Sequence, residues 1–201
     1  MKTKKLLVTA LICLGVMALF AGCGEEKNPK VEFEMENGGK FILELYPEYA
    51  PETVKNFVKL VEEGFYDGLT FHRIFPGFMA QGGGYGADDY LFIEGNKKPA
   101  ESITGEFADN KFTKNTLKHT RGVISMARTN DPNSASSEFF IMFDSAPHLD
   151  GGYAAFGKVI EGMETIDKLL EVERYAGFAT DGENATIPVE PIIIKKAAKV
   201  K

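Results

Sequence analysis

The sequence contains no tryptophan, three histidines and two cysteines among its 201 residues. Both cysteines, Cys13 and Cys23, lie in the N-terminal segment, so no disulfide can join two parts of the chain beyond it. The histidines show no metal-ligand spacing with each other or with acidic residues. We therefore expect a domain that holds together through its apolar core, with no metal and no cofactor.

The motifs of covalent and phosphoryl-transfer catalysis are also missing. There is no Gly-x-Ser-x-Gly turn, no cysteine after Cys23 and no phosphate-binding loop that ends in Gly-Lys-Ser or Gly-Lys-Thr. Residues 82–87 fit a loose dinucleotide-binding pattern, but no helical pattern follows them. A catalyst of this composition must act on a reaction that needs no proton or covalent transfer.

The N-terminal segment differs in kind from the rest of the chain. Three lysines occur within residues 1–5, and residues 6–20 are almost continuously apolar. This run is shorter than the roughly 20 residues that a membrane-spanning helix needs. The pattern favours a secretory signal peptide over residues 1–22, with a transmembrane helix as the alternative.

The signal segment ends in Leu19-Phe20-Ala21-Gly22-Cys23. This run resembles the lipobox of bacterial lipoproteins, although Phe20 stands where that motif usually has leucine. The resemblance implies cleavage before Cys23, a lipid on Cys23, a tether over residues 23–30 and a domain over residues 31–201. It also implies attachment to the extracytoplasmic face of a bacterial membrane; secretion without a lipid is the alternative.

Charge restricts the partners of the mature chain. Loss of the three signal-peptide lysines takes the formal net charge from −6 to −9. A chain this acidic is repelled by nucleic acid and by anionic lipid surfaces. We therefore expect no nucleic-acid partner, and membrane contact only through the N-terminal lipid.

Hydrophobic periodicity predicts a mainly β domain with two helices. Residues 31–35 and 41–46 alternate apolar and polar side chains on either side of Asn37-Gly38-Gly39, which predicts a β-hairpin. Pro51 and Gly64 bound a helical repeat. Further strands are predicted at 70–75, 78–81, 122–128, 138–143, 155–160 and 190–200, with a second helix at 163–170. Eight strands without strand–helix alternation favour a closed antiparallel β-barrel capped by the two helices, because closure leaves no exposed edge.

One stretch, residues 71–86, combines a single cation and a single amide with apolar side chains. Arg73 and Gln81 stand among phenylalanines and Met79, and a glycine run follows. Rotation about a prolyl peptide bond passes through a twisted state with less charge separation than the planar amide. An apolar pocket with one positioned cation would favour that state.

The run from Phe71 to Gly83 resembles the signature of cyclophilin-type peptidyl-prolyl cis-trans isomerases. Three further blocks agree in order: residues 122–127, 137–141 and 149–163. The resemblance implies an eight-stranded barrel with isomerase activity on proline-containing polypeptides, here unfolded exported proteins, and a monomeric chain. It also implies Arg73 and Gln81 as catalytic residues, and a substrate groove formed by Phe78, Met79, Ala127, Arg128, Glu138, Phe140, His148, Leu149 and Tyr153.

Three of these positions depart from the familiar pattern. His148 stands where well-studied eukaryotic members have tryptophan, and Tyr153 replaces a pocket histidine. Glu138 replaces a glutamine, and its carboxylate could pair with Arg73 or Arg128 and compete with substrate. A proline-peptide-binding module or chaperone with weak catalysis is therefore the alternative to an active isomerase. The structural alternative for Arg73 is a salt bridge that only stabilises the fold. For Phe78, Met79 and Phe140 the alternative is packing in the core. We expect His119 to be structural.

Overall fold

The computed structural model describes residues 28–89, 98, 100–175 and 186–200. The strands are β1 (Lys30–Met35), β2 (Lys40–Leu45), β3 (Leu69–Phe75), β4 (Met79–Gly86), β5 (Val123–Met126), β6 (Phe139–Met142), β7 (Ala155–Glu161) and β8 (Ile192–Lys199). The helices are α1 (Pro51–Glu62) and α2 (Met163–Asp167), and a 3-10 turn (Lys168–Glu171) extends α2. The predicted signal peptide and Cys23 lie outside these residues. Within the described ranges no helix has the length and apolar character that crossing a bilayer requires.

The strands form a closed antiparallel barrel in the order β1-β2-β7-β5-β6-β4-β3-β8. Strand β1 pairs with β2 on one side and with β8 on the other, which closes the sheet. The predicted hairpin sets Phe33 opposite Phe41, and their rings stack at 4.9 Å between centroids. Its turn uses Gly38 at φ +86°, a conformation that glycine adopts at little cost. The predicted fold class is confirmed.

The barrel interior is filled mainly by aromatic side chains. Its largest fully buried members are Tyr66, Phe33, Phe41, Phe57, Phe71, Phe139 and Phe156. Helix α1 contributes Phe57, whose ring centroid lies 5.8 Å from that of Phe139. Such rings bury about 150–250 Å² each, and burial of apolar area dominates stability. The packed interior therefore provides the stability that disulfides provide in smaller secreted domains.

Strand β4 extends to Gly86, beyond the predicted end at residue 81. The glycine run therefore belongs to the sheet. A Cβ atom at Gly83 would lie 2.8 Å from the Phe139 ring, and one at Gly84 would lie 2.7 Å from Glu138 Cγ. Real side chains do not approach so closely, so glycine at these two positions leaves room for the Phe139 ring and the Glu138 side chain.

The described part of the long 85–120 segment anchors helix α1. Ala50 precedes that helix and provides no side-chain cap. The carboxylate of Glu106 instead accepts hydrogen bonds from the backbone N–H groups of Glu52 at 3.1 Å and Thr53 at 2.8 Å. The Thr53 hydroxyl donates to it as well, at 2.7 Å. A residue distant in sequence thus satisfies orphan donors of the first helical turn.

Candidate active site

The two predicted catalytic residues lie side by side on the outside of the barrel. Arg73 on β3 is opposite Gln81 on β4, and Gln81 is opposite Phe140 on β6. Strand side chains alternate between the two faces of a sheet. The adjacent residues on the two strands, Ile74 on β3 and Ala80 on β4, therefore point into the barrel, where both are fully buried. Strand register therefore brings a cation, an amide and an aromatic ring together on one surface.

This row borders a cavity of about 160 Å³. It is lined by most of the predicted site residues: Arg73, Phe78, Met79, Gln81, Ala127, Arg128, Phe140, Leu149 and Tyr153. Two predicted residues lie beside the wall. Exposed His148 stacks on the Phe78 ring with centroids 5.7 Å apart, and Glu138 is hydrogen-bonded to Gln81.

A second cleft is larger, at about 430 Å³, and lies where the end of β1 meets the start of β8. Glutamates and aliphatic side chains line it, and it contains none of the predicted site residues. A third cleft, of about 480 Å³ beside α1, also contains none of them. Volume alone therefore does not identify the functional site. The smaller cavity is the candidate site because an arginine, an amide and an apolar recess meet there.

The apolar side of the cavity is separate from the barrel interior. It belongs to an outer cluster of buried residues: Met79, Val123, Phe140, Met142, Ala146, Leu149 and Ala155. The Phe140 ring meets the Tyr153 ring edge-on, with centroids 5.8 Å apart. A compact apolar side chain such as a proline ring fits such a recess without burying an unpaired polar group.

Behind the recess, a hydrogen-bonded histidine supports Phe140. The His119 ring stacks on the Phe140 ring with centroids 6.0 Å apart. Its Nδ1 lies 3.0 Å from Asp150 Oδ1 and its Nε2 lies 3.0 Å from Ser125 Oγ. Burial lowers the pKa of His119, against the opposing effect of the Asp150 hydrogen bond. Sequence periodicity did not indicate this support, because its members come from three separate segments.

Glu138 contacts the row formed by Arg73, Gln81 and Phe140 from one side. The Gln81 Nε2 group donates to Glu138 Oε2 at 2.8 Å, and His72 Nε2 lies 3.5 Å from the same oxygen. Burial, with a smaller effect of the Glu138 charge, raises the pKa of Tyr85. Competition between Glu138 and the substrate for Arg73 stays a prediction, whereas the suggested pairing of Glu138 with Arg128 is wrong.

Arg128 instead turns its guanidinium toward backbone carbonyls. Its Nε and Nη2 groups donate to Gly152 O at 3.0 and 2.8 Å, and Nη1 donates to Thr129 O at 2.8 Å. The N–H of Ala127, another residue of the predicted groove, is not available to a bound peptide, since it donates to Glu138 O at 2.9 Å.

Comparison with known proteins identifies the family that this chain resembles. The family model described as cyclophilin type peptidyl-prolyl cis-trans isomerase/CLD matches residues 30–199. The chain is 40% identical over 170 residues to peptidyl-prolyl cis-trans isomerase A of Dickeya dadantii, with 82% of each chain covered. It is 45% identical over 133 residues to peptidyl-prolyl cis-trans isomerase B of Bacillus subtilis, covering 66% of this chain and 84% of that one.

Solved structures agree with the sequence relatives. A cyclophilin-type isomerase of Cryptosporidium parvum superposes with a TM-score of 0.69 at 29% identity, over 87% of this chain and 98% of that one. The same protein, in a structure determined in the presence of the dipeptide Ala-Pro, superposes with a TM-score of 0.68. The chain therefore belongs to the cyclophilin-type peptidyl-prolyl cis-trans isomerases.

Proposed function

We propose that Arg73 lowers the barrier to rotation about the Xaa-Pro bond by donating a hydrogen bond to the prolyl nitrogen. That barrier is about 18–20 kcal/mol and comes from amide resonance, which ties up the nitrogen lone pair. A donor aimed at the nitrogen stabilises the twisted state, in which the lone pair is localised, more than the planar state. The observation that supports this role is the lateral row of Arg73, Gln81 and Phe140 beside the cavity.

Gln81 holds the substrate backbone, and the outer cluster holds the proline ring. Gln81 lies between the cation and Phe140 in the row, so it can bond a peptide carbonyl while the ring enters the recess. Phe78, Met79, Phe140 and Leu149 form the apolar contacts, with His148 stacked behind Phe78. The Ala-Pro dipeptide used with the Cryptosporidium parvum relative supports a substrate of this class.

The test is the exchange rate between the cis and trans forms of an Ala-Pro peptide, measured by NMR with and without the protein. Replacing Arg73 with alanine is expected to reduce kcat/KM by about 10²- to 10³-fold, the usual effect of removing one transition-state donor. Arg174→Ala is the matched control, because that arginine donates to Leu170 O and Val172 O away from the cavity. Equal rates for the parent protein and Arg73→Ala would reject the catalytic role.

The proposed setting is the extracytoplasmic face of a bacterial membrane, with Cys23 carrying the lipid and unfolded exported proteins as substrates. Uncatalysed prolyl isomerisation takes tens of seconds, slow enough to limit folding there. Mass spectrometry of the mature N-terminus tests the lipid, with Cys23→Ser as the control. An unmodified N-terminus on the parent protein would contradict the anchor.

The protein acts as a monomer in this proposal. Closure of the barrel pairs the strands on both sides, so the sheet offers no free edge for a second copy. Sedimentation of the soluble domain from residue 28 onward is expected to give the mass of one chain at micromolar concentration. A concentration-dependent dimer would contradict this expectation.

A further inference from the structure

The Arg128 side chain is a second cation in the cavity wall, and two aromatic rings contact its guanidinium. Its Cζ lies 4.5 Å from the centroid of the Tyr153 ring and 5.0 Å from that of the Phe107 ring. Its three hydrogen bonds to Gly152 O and Thr129 O hold the plane of the guanidinium. An arginine held this way loses little further conformational entropy when it binds a ligand.

The hydrogen bonds of Arg128 leave part of its donor capacity unused. A guanidinium has five N–H groups. The bonds to Gly152 O and Thr129 O use the Nε group, one N–H of Nη1 and one of Nη2. One N–H therefore remains on each terminal nitrogen, and each can donate a charge-assisted hydrogen bond to a carboxylate oxygen.

No acidic side chain of the described residues neutralises this cation. The guanidinium is bonded to backbone carbonyls, and no carboxylate among the described residues forms an ion pair with it. Glu138 accepts a hydrogen bond from Gln81. Asp109 approaches the backbone at Gly152, but it is exposed and screened by solvent.

We infer that Arg128 makes this isomerase prefer substrates with an aspartate or glutamate close to the proline. The inference rests on the proposed groove, because Arg128 and the proline recess border the same cavity. An extended peptide advances about 3.3 Å per residue, so a side chain within two positions of the proline reaches the wall. The net negative charge of the chain opposes such substrates at long range, but salt screens it beyond about 8–10 Å.

Phe107 gives part of the long 85–120 segment a role in this selection. Phe107 is buried, and its ring contacts the Arg128 guanidinium together with that of Tyr153. The segment therefore contributes to the choice of substrate by fixing the cation and need not touch the peptide itself.

The experiment compares matched peptides in which a glutamate or a glutamine stands two positions before, directly before or directly after the proline. NMR exchange gives kcat/KM for each, and the ratio of glutamate to glutamine peptide is the readout. For the parent protein we expect a ratio of about threefold to fivefold at one or more positions, the size of a well-placed exposed ion pair. Arg128→Gln should bring the ratio to about one, whereas Arg174→Gln, which removes an arginine outside the cavity, should retain it.

Salt provides a test that does not depend on a variant folding. Raising NaCl from about 100 mM to 1 M should bring the ratio of the parent protein toward one, because the Debye length falls from about 10 Å to about 3 Å and ions then screen the pair. A ratio of one at low salt for every position, or the same ratio in the parent protein and folded Arg128→Gln, would overturn the inference. A neutral Ala-Pro peptide separates the two failures: turnover of that peptide with a ratio of one rejects only the selection, and no turnover of any peptide rejects the proposed groove as well.

Discussion

Phe139 and Phe140 are neighbours in sequence but belong to different regions of the molecule. The Phe139 ring lies in the barrel interior, 5.8 Å from Phe33 and 5.7 Å from Phe71 between ring centroids. The Phe140 ring lies in the outer cluster, against His119 and Tyr153 beside the cavity. The same kind of side chain therefore packs in the barrel interior at one position and, in the proposed function, contacts the substrate at the next.

The two regions differ in how many other rings surround each side chain and in whether solvent reaches it. The barrel interior surrounds each ring with other rings from several strands and from α1, so any loss leaves an internal cavity. The outer cluster is a thin layer with a recess open to solvent, backed by the hydrogen-bonded His119. We expect substitutions in the interior to change the free energy of unfolding and substitutions in the outer cluster to change mainly the rate of isomerisation.

The sharpest test of this contrast is Phe139→Ala. Deleting a fully buried ring should lower the free energy of unfolding by about 3–5 kcal/mol, because the surrounding rings cannot close the space. Denaturant unfolding followed by circular dichroism measures the change. A loss no greater than that for Phe140→Ala would break the comparison.

Phe140→Ala should give the converse pattern. The proline ring loses its apolar contact, so kcat/KM on an Ala-Pro peptide should fall by about 10- to 100-fold, the range for a central anchor of a binding site. The same NMR exchange assay measures the rate. Unchanged kcat/KM in the folded variant would place the proline recess elsewhere.

Glu106→Gln tests how far the interior depends on a distant segment. Replacing the carboxylate by an amide weakens the bonds to Glu52 N and Thr53 N, and we expect a loss of about 1–2 kcal/mol in the free energy of unfolding. Thermal unfolding measures it. Glu101→Gln, on the same segment but exposed, is the control and should change little; equal effects would contradict the capping role.

Glu138→Gln should have the smallest effect, and it acts on the outer region only. The carboxylate holds Gln81 Nε2 at 2.8 Å, and bonds to a charged acceptor are stronger than those to a neutral amide. Loss of this bond frees Gln81 for the substrate and ends any competition with the substrate at Arg73. We therefore expect kcat/KM to rise by about twofold to fivefold, which corresponds to less than about 1 kcal/mol in the activation free energy. No gain in the glutamine variant would reject competition by Glu138.

Local pattern was sufficient for the architecture. Alternation in residues 31–35 and 41–46, the Asn-Gly turn and the helical repeat after Pro51 each specify their own element, because side-chain direction follows from backbone geometry. The number of strands then left a closed barrel as the arrangement without open edges. The end of β4 was missed because glycine is a poor strand former. Its neighbours explain three of the glycines: Thr70 and Phe71 crowd Gly82, Phe139 crowds Gly83 and Glu138 crowds Gly84.

The sequence by itself thus determined the barrel, the family resemblance and the residues of the row from Arg73 to Phe140. Only the tertiary structure decided which groups meet across long separations: Glu106 with the start of α1, Asp150 and Ser125 with His119, and Phe107 with Arg128. The physical reason is that periodicity reports where a side chain points relative to its own strand or helix. The partner that it meets depends on how the barrel closes and where the loops return.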